Sequence, residues 1–310
     1  MDSFDRILLA ELAANCRVSF TDLAEKYSFS VNTIKKKVED LVQEGVIHAF
    51  DVQISLRSVG ASFAVTMIEL NSDWSGDRLK ELGKHPNIYS IASGIRSEAL
   101  VLVIYRSNQE LTEVVDFLQS TPGVSKTETV PLLYPLSAGE MPPSKGLEDL
   151  KRIDWMILQK LKWNGRMQLG ELANVVGASP ASVRKRLQFM LKNGLINQTI
   201  LVNPSLTKGL VVMYALSIEE LSSEIQHRLD LLLAETFPDN YWLSWRVADR
   251  SLLLLTFQVQ STKDALEIRD RLLELIPDSS IAKQLLVGVW EYFPDFRDDL
   301  IASRLESYKK

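Results

Sequence analysis

Apolar residues at Val183, Leu187, Met190 and Leu191 recur at the spacing that keeps side chains on one face of an α-helix. Ser179 followed by Pro180 marks the start of that helix: a hydroxyl caps an orphan amide, and proline takes the first helical position, where a missing N–H costs nothing. Asn193 and Gly194 end it. Turning the stripe inward leaves Ala181, Ser182, Arg184, Lys185 and Gln188 facing out, next to the Ser179 cap. A shorter helix over 169–176 precedes it, with Leu169, Leu172, Ala173 and Val176 inward and Gly177 supplying the turn. Residues 195–204 are a β-rich run of the kind that forms a wing. The pattern predicts a winged helix-turn-helix whose second helix, small-faced and basic at its start, suits a major groove.

The same pattern occurs earlier. Residues 5–47 superpose on 154–196 without a gap, at an offset of 149 residues, and roughly a quarter of the positions are identical, among them Asp5/Asp154, Asn15/Asn164, Arg17/Arg166, Ser30/Ser179 and Gly45/Gly194. In this first copy Ser30 is the cap, Ile34, Val38, Leu41 and Val42 form the expected buried stripe, and Asn32, Thr33, Lys35 and Lys36 face out.

After each winged helix the pattern switches to alternation. Strands are predicted over 61–71, 87–94, 99–105 and 124–133 with helices over 75–84 and 109–118, and the order recurs over 210–290. The predicted fold class is α+β: two winged helix-turn-helix domains, each followed by a ferredoxin-like βαββαβ domain. The expected divisions are 1–58, 59–135, a Pro/Gly/Ser-rich linker over 136–150, 151–206, 207–293, and a tail over 294–310 with one short amphipathic helix.

Charge separates the two copies. Between Leu172 and Ile218 stand Arg184, Lys185, Arg186, Lys192 and Lys208 with no acid, whereas acids outnumber bases over 21–58. Against a net charge of -5 for the whole chain, the basic stretch is what a phosphate backbone selects. The second copy is therefore expected to grip phosphate more strongly.

Cys16 is the single cysteine, which excludes an intrachain disulfide and a cysteine-based zinc site, and His48, His85 and His227 are scattered. No run reaches a membrane span, and the opening residues pattern as an amphipathic acidic helix and not a leader, so a cytoplasmic location is expected. No phosphate loop or metal-ligand spacing is present; no cofactor is expected. Trp242, Trp245 and Trp290, at strand spacing, read as core or interface residues.

A winged helix-turn-helix followed by βαββαβ resembles the Lrp/AsnC (feast/famine) regulators, here as two fused units. Residues 153–196 and Val202-Asn203-Pro204 carry the resemblance most specifically, with Gly94 and residues 121–124 as sheet-domain landmarks. The resemblance implies that the helices starting at Ser30 and Ser179 read double-stranded DNA. It also implies that the sheet domains pair face to face, as a pseudo-dimer within one chain or in a homo-oligomer of fused chains. A small-molecule effector, often an amino acid in that family, would sit near the loop between the second and third strands at Gly94, Arg96, Ser97 and Glu98, although this segment lacks the family's usual aromatic-acidic pattern.

Fused units of this architecture also resemble the siroheme decarboxylases, in which sheet-domain His and Arg residues handle tetrapyrrole carboxylates. The corresponding segments here, 88–91 and 241–244, have Arg96 and Arg246 nearby but no histidine. On that ground the sequence is read as a transcription regulator and not an enzyme. A protein-interaction adaptor that has lost DNA binding is a third reading.

Overall fold

The computed structural model describes residues 2–71, 76–95, 97–133 and 143–309. Residues 136–142 of the expected linker and Arg96 therefore lie outside the described residues, and the helix expected from Ser75 is described from Gly76. The chain forms two compact units: the described residues within Met1–Ser3, Ser62–Ser137 and Pro204–Pro294 make one, and those within Phe4–Ala61, Ala138–Asn203 and Asp295–Lys310 the other.

The second of these holds both winged helices. In the first copy α1 (Ser3–Ala14), α2 (Phe20–Tyr27) and α3 (Val31–Gln43) lead into strand β1 (Ile47–Ile54). Both caps of the helix-turn-helix are formed by serine, Ser19 for α2 and Ser30 for α3. Helix α3 buries Ile34, Val38 and Leu41, but Val42 is 44% exposed. It stands about 100° around the helix from Leu41, at the edge of the stripe and not within it. The second copy contributes α6 (Arg152–Leu161), α7 (Leu169–Val176), α8 (Pro180–Lys192) and β6 (Ile196–Val202); β1 and β6 pair antiparallel from Ile54↔Ile196 to Ile47↔Val202.

Two equivalent arginines complete this pairing. Arg17 donates to the carbonyls of Gly165 and, at 2.9 Å, Met167; Arg166 donates to those of Cys16 at 2.8 Å and Val18 at 3.1 Å. Gly165 is required where the copies touch, because a Cβ there would lie 2.9 Å from Cys16 Sγ and 3.0 Å from the Asp51 backbone nitrogen.

The tail is part of this unit. Helix α11 (Phe296–Ser307) packs on α6, with Arg304 over the Trp155 ring, and Lys162 pairs with Asp298. Asp295 starts it through a capping box with Asp298. Arg297, 4% exposed, donates to Asp295 at 2.7 and 2.8 Å and to Gln53 Oε1 at 2.8 Å. Burial alone would raise the Asp295 carboxyl, but the Arg297 guanidinium outweighs it and holds the group below the usual carboxylate range.

The other unit contains both βαββαβ domains. The first is β2 (Ser62–Leu70), α4 (Gly76–Leu82), β3 (Ile88–Gly94), β4 (Glu98–Tyr105), α5 (Asn108–Ser120) and β5 (Val124–Leu133). The second is β7 (Leu210–Ile218), α9 (Ser223–Thr236), β8 (Tyr241–Val247), β9 (Leu252–Val259), α10 (Thr262–Leu275) and β10 (Ser279–Tyr292). Their sheets join at both edges into a closed barrel of order β10-β3-β4-β2-β5-β8-β9-β7. Closure removes the edges that two open sheets would expose.

Strand alternation fixes which side chains face each way. Ala64, Ile68, Val101 and Val103 pack outward on Leu79, Leu82, Val114 and Leu118, and Tyr214, Leu216, Leu253 and Phe257 do the same on α9 and α10. Their neighbours one position away, including Val65, Leu100, Met213 and Leu254, fill the barrel interior, where Trp245 and Trp290 also pack. Among the described residues, no helix is long and apolar enough to cross a membrane.

Candidate functional site

The expected groove face of α8 forms as a helix start with its cap intact. Ser179 Oγ accepts from the Ser182 amide at 3.2 Å, and Pro180 takes the first turn. Ser179, Ala181, Arg184, Lys185 and Gln188 are exposed and Ser182 is half-buried. Among the described residues no ion pair engages Arg184 or Lys185. Arg186, counted with them in the sequence, turns inward: Nε donates to Asp154 Oδ1 at 2.6 Å and Nη2 to Oδ2, with the guanidinium 4.4 Å from the Phe189 ring centre. Asp154 is fully buried, so this arginine neutralises a core charge and is not free to meet phosphate.

The α3 face repeats the geometry with less free charge. Ser30 Oγ accepts from the Thr33 amide at 3.0 Å and lies 2.8 Å from Thr33 Oγ1. Ser30, Asn32, Lys35 and Lys36 are exposed and Thr33 half-buried. Lys35 pairs with Glu39 at 3.6 Å, and Lys37 holds Asp5 at 2.8 Å, as Arg186 holds Asp154 in the second copy. The two faces thus share a frame, but among the described residues the groove face of α8 offers two cations without acid partners, Arg184 and Lys185, where that of α3 offers one, Lys36.

Of the residues expected near an effector, Gly94 ends β3 buried, Ser97 and Glu98 are half-buried, and Arg96 lies outside the described residues. Glu98 Oε1 is 3.2 Å from Lys283 Nζ, which also lies 3.7 Å from Glu69 Oε1. Lys283 and Glu128 line a cavity of ≈ 60 Å³ in the barrel interior, and Glu128 accepts from Arg250 at 2.9 Å. The sequence supplied Glu98; Lys283 gave no local signal, being one polar residue on a long strand.

The segments weighed for tetrapyrrole chemistry are built differently in the two copies. On β8, Tyr241 and Ser244 each donate to Asp230 Oδ1 at 2.5 Å, and Arg246 donates to Leu221 O and, at 2.8 Å, Ser223 Oγ. Burial, with Asp230 beside it, pushes the Tyr241 phenol far up, so it stays protonated. On β3, Tyr89 stacks edge-on with Tyr292 at 5.5 Å. His85, just after α4, packs on Phe117 at 4.8 Å, and burial lowers its pKa. Cys16 is fully buried and its thiol is pushed up to about 12 by that burial, which leaves no thiolate for nucleophilic chemistry.

A family model described as winged helix-turn-helix DNA-binding matches this chain twice, at residues 1–48 and 150–197. The HTH-type transcriptional regulator LrpA of Mycobacterium tuberculosis is 28% identical over 135 residues, 42% of this chain and 89% of that protein. The HTH-type transcriptional regulator Rv2324 of the same organism is 26% identical over 146 residues, 46% of this chain and 98% of that protein. Among solved structures, the siroheme decarboxylase NirDL matches over 100% of both chains with a TM-score of 0.55 at 10% identity.

That last likeness corrects one expectation. The sequence was read as a non-enzyme, yet the fold that this chain shares over its full length is also the fold of an enzyme. A fold shared with an enzyme is compatible with catalysis, and the lack of a histidine on β3 and β8 is too narrow a ground to exclude it.

Proposed function

The chain is a tandem duplication of a winged helix-turn-helix and βαββαβ unit similar to the Lrp/AsnC regulators, and from that premise we propose that it is a DNA-binding transcription regulator. The observation that carries this reading is the exposed start of α8, where Arg184 and Lys185 project without acid partners among the described residues, beside a formed serine cap. In this reading Ser179, Ala181, Ser182, Arg184, Lys185 and Gln188 meet one major groove. Ser30, Asn32, Thr33, Lys35 and Lys36 meet a second, more weakly held half-site.

Both copies sit in one chain, and their sheets close one barrel. The chain then acts as a pseudo-dimer with two unlike readers, and its target is an asymmetric site, because a site's symmetry follows that of its protein. Titration of the full chain against pooled genomic fragments at two salt concentrations tests this. Binding that weakens steeply with salt supports a phosphate-contacting regulator. Absence of binding at low salt overturns it.

The full-length fold likeness to a siroheme decarboxylase favours a second reading, an enzyme acting on tetrapyrrole carboxylates. An absorbance titration with iron-uroporphyrin III separates the two, since a tetrapyrrole enzyme perturbs the absorption band of the pigment and a regulator of this kind does not.

A further inference from the structure

We infer that the two reading helices are built for different bases: α3 reads an A·T pair, with Val31 on the thymine methyl and Asn32 on the adenine edge, whereas α8 reads a guanine through Arg184. The inference rests on the regulator reading above and names what each helix recognises. It adds Val31, which that reading does not use, as a specificity-determining residue.

The two helix starts differ at matching positions. At the offset of 149 residues Val31 corresponds to Pro180, Asn32 to Ala181, Lys35 to Arg184 and Glu39 to Gln188. Residues three and four apart share a helix face, so each set forms one row, and every member of both rows is exposed.

What a row can read follows from its donors, acceptors and apolar groups. In the major groove guanine presents two acceptors, adenine an acceptor and a donor, and thymine a methyl group. The α8 row carries the Arg184 guanidinium, which no acid engages among the described residues and whose fork of donors fits both guanine acceptors. On α3 the corresponding cation is Lys35, a point charge 3.6 Å from Glu39. Lys36 is also a point charge, suited to phosphate. Neither lysine supplies the two converging donors that a guanine edge takes.

Asn32 and Val31 remain at the α3 start. The Asn32 amide carries the donor and acceptor that match adenine, and Val31 is 42% exposed. Thr33 is engaged at the cap, its Oγ1 2.8 Å from Ser30 Oγ. Phe29 is also 42% exposed, but its ring stacks on Phe4 with centres 4.2 Å apart, which ties it to the turn. Single exposed apolar residues are ordinary on a protein surface. Val31 gains its meaning from its place, since the first residues of a recognition helix are those that reach base edges.

Affinities of the full chain for one duplex selected from pooled genomic fragments test this, with single chemical groups removed from the bases of one half-site at a time. Deoxyuridine in place of thymidine deletes only the methyl group; 7-deazaadenine and 7-deazaguanine replace the N7 acceptor by C–H. In the parent, deoxyuridine in one half-site is expected to weaken binding about fourfold, the effect of burying one methyl group. In the other half-site 7-deazaguanine is expected to weaken it about tenfold. Val31→Ala is expected to lose about fourfold on the thymine duplex and to be indifferent to deoxyuridine. Asn32→Ala and Arg184→Ala are expected to be indifferent to 7-deazaadenine and 7-deazaguanine respectively. Alanine is the better helix former and residue 31 is exposed, so Val31→Ala keeps the fold, which its melting temperature verifies. Deoxyuridine that weakens neither half-site, or weakens the Val31→Ala chain as much as the parent, overturns the inference and leaves DNA binding intact. So do methyl and guanine effects that fall in the same half-site. A parent chain that binds no fragment at low salt overturns the regulator reading and this inference together.

Discussion

Arg17 and Arg166 stand at equivalent positions of the two winged helices, and each donates to two carbonyls of the other copy. Burial lowers the pKa of both guanidinium groups, yet both remain charged, so the bonds are charge-assisted. Removing one leaves carbonyls of the opposite copy unsatisfied at the join. Arg166→Ala is expected to destabilise the winged-helix unit by about 2–3 kcal/mol, read as a fall in the urea midpoint. A change below experimental error contradicts a role in joining the copies.

Arg184 and Arg186 are two residues apart and are expected to behave oppositely. Arg186→Met leaves the fully buried Asp154 without its cation and is expected to cost about 3–5 kcal/mol of stability. Arg184→Ala, on the exposed face, is expected to stay within about 0.5 kcal/mol of the parent while lowering affinity for DNA. Thermal melts and binding titrations on the same preparations distinguish them.

The turn of the second helix-turn-helix depends on Gly177, with φ at +66°. Gly177→Ala is expected to cost about 1 kcal/mol because an L side chain strains that backbone. Gly170, inside α7, gives the opposite result, because an added methyl there would meet nothing within 4 Å. Gly170→Ala is expected to stabilise by about 0.5–1 kcal/mol. Melting temperatures of the two variants test the contrast. Ser28 takes the equivalent left-handed position in the first copy, φ 58°, so that turn already carries such strain.

The tail carries a pH dependence with a definite sign. Asp295 has a folded pKa below its unfolded value, so it contributes stability above the ordinary carboxylate pKa and that contribution is lost as pH falls. Asp51 works the other way: burial raises its carboxyl, despite bonds from the Trp163 amide and Gln53, so its contribution favours the acid side and is lost as pH rises past the unfolded pKa. Arg297→Met is expected to cost about 3–5 kcal/mol at neutral pH and to remove the Asp295 part of the acid dependence. Denaturation followed across pH 3–7 reads both effects, the range being set by the ordinary carboxylate pKa of about 4.

Local features were legible in the sequence because their causes are local. Ser30, Ser179, Pro180 and Gly177 define caps and a turn from adjacent residues, and the strand pattern of both sheet domains follows from alternation. What depends on distant partners was not. Arg186 looks like its neighbours until Asp154, 32 residues earlier, is seen to hold it. Barrel closure needs β5 to meet β8 and β10 to meet β3, and no segment announces its edge partner. The tail reads as one short amphipathic helix, but its docking on α6 depends on Trp155 and Lys162. The pair Glu98 and Lys283 shows the same division: Glu98 stands at a hairpin that the sequence marks, while Lys283 is brought beside it only by the pairing of distant strands.

In the regulator reading this chain grips DNA chiefly through α8. The most direct measurement is the affinity of three full-length proteins for one selected fragment: the parent, the Arg184→Ala/Lys185→Ala variant, and the Lys35→Ala/Lys36→Ala variant. The expected result is a loss of about 10- to 100-fold for the first pair and about threefold or less for the second, with a shallower salt slope in both. Equal losses from the two pairs, or no loss from either, contradict it.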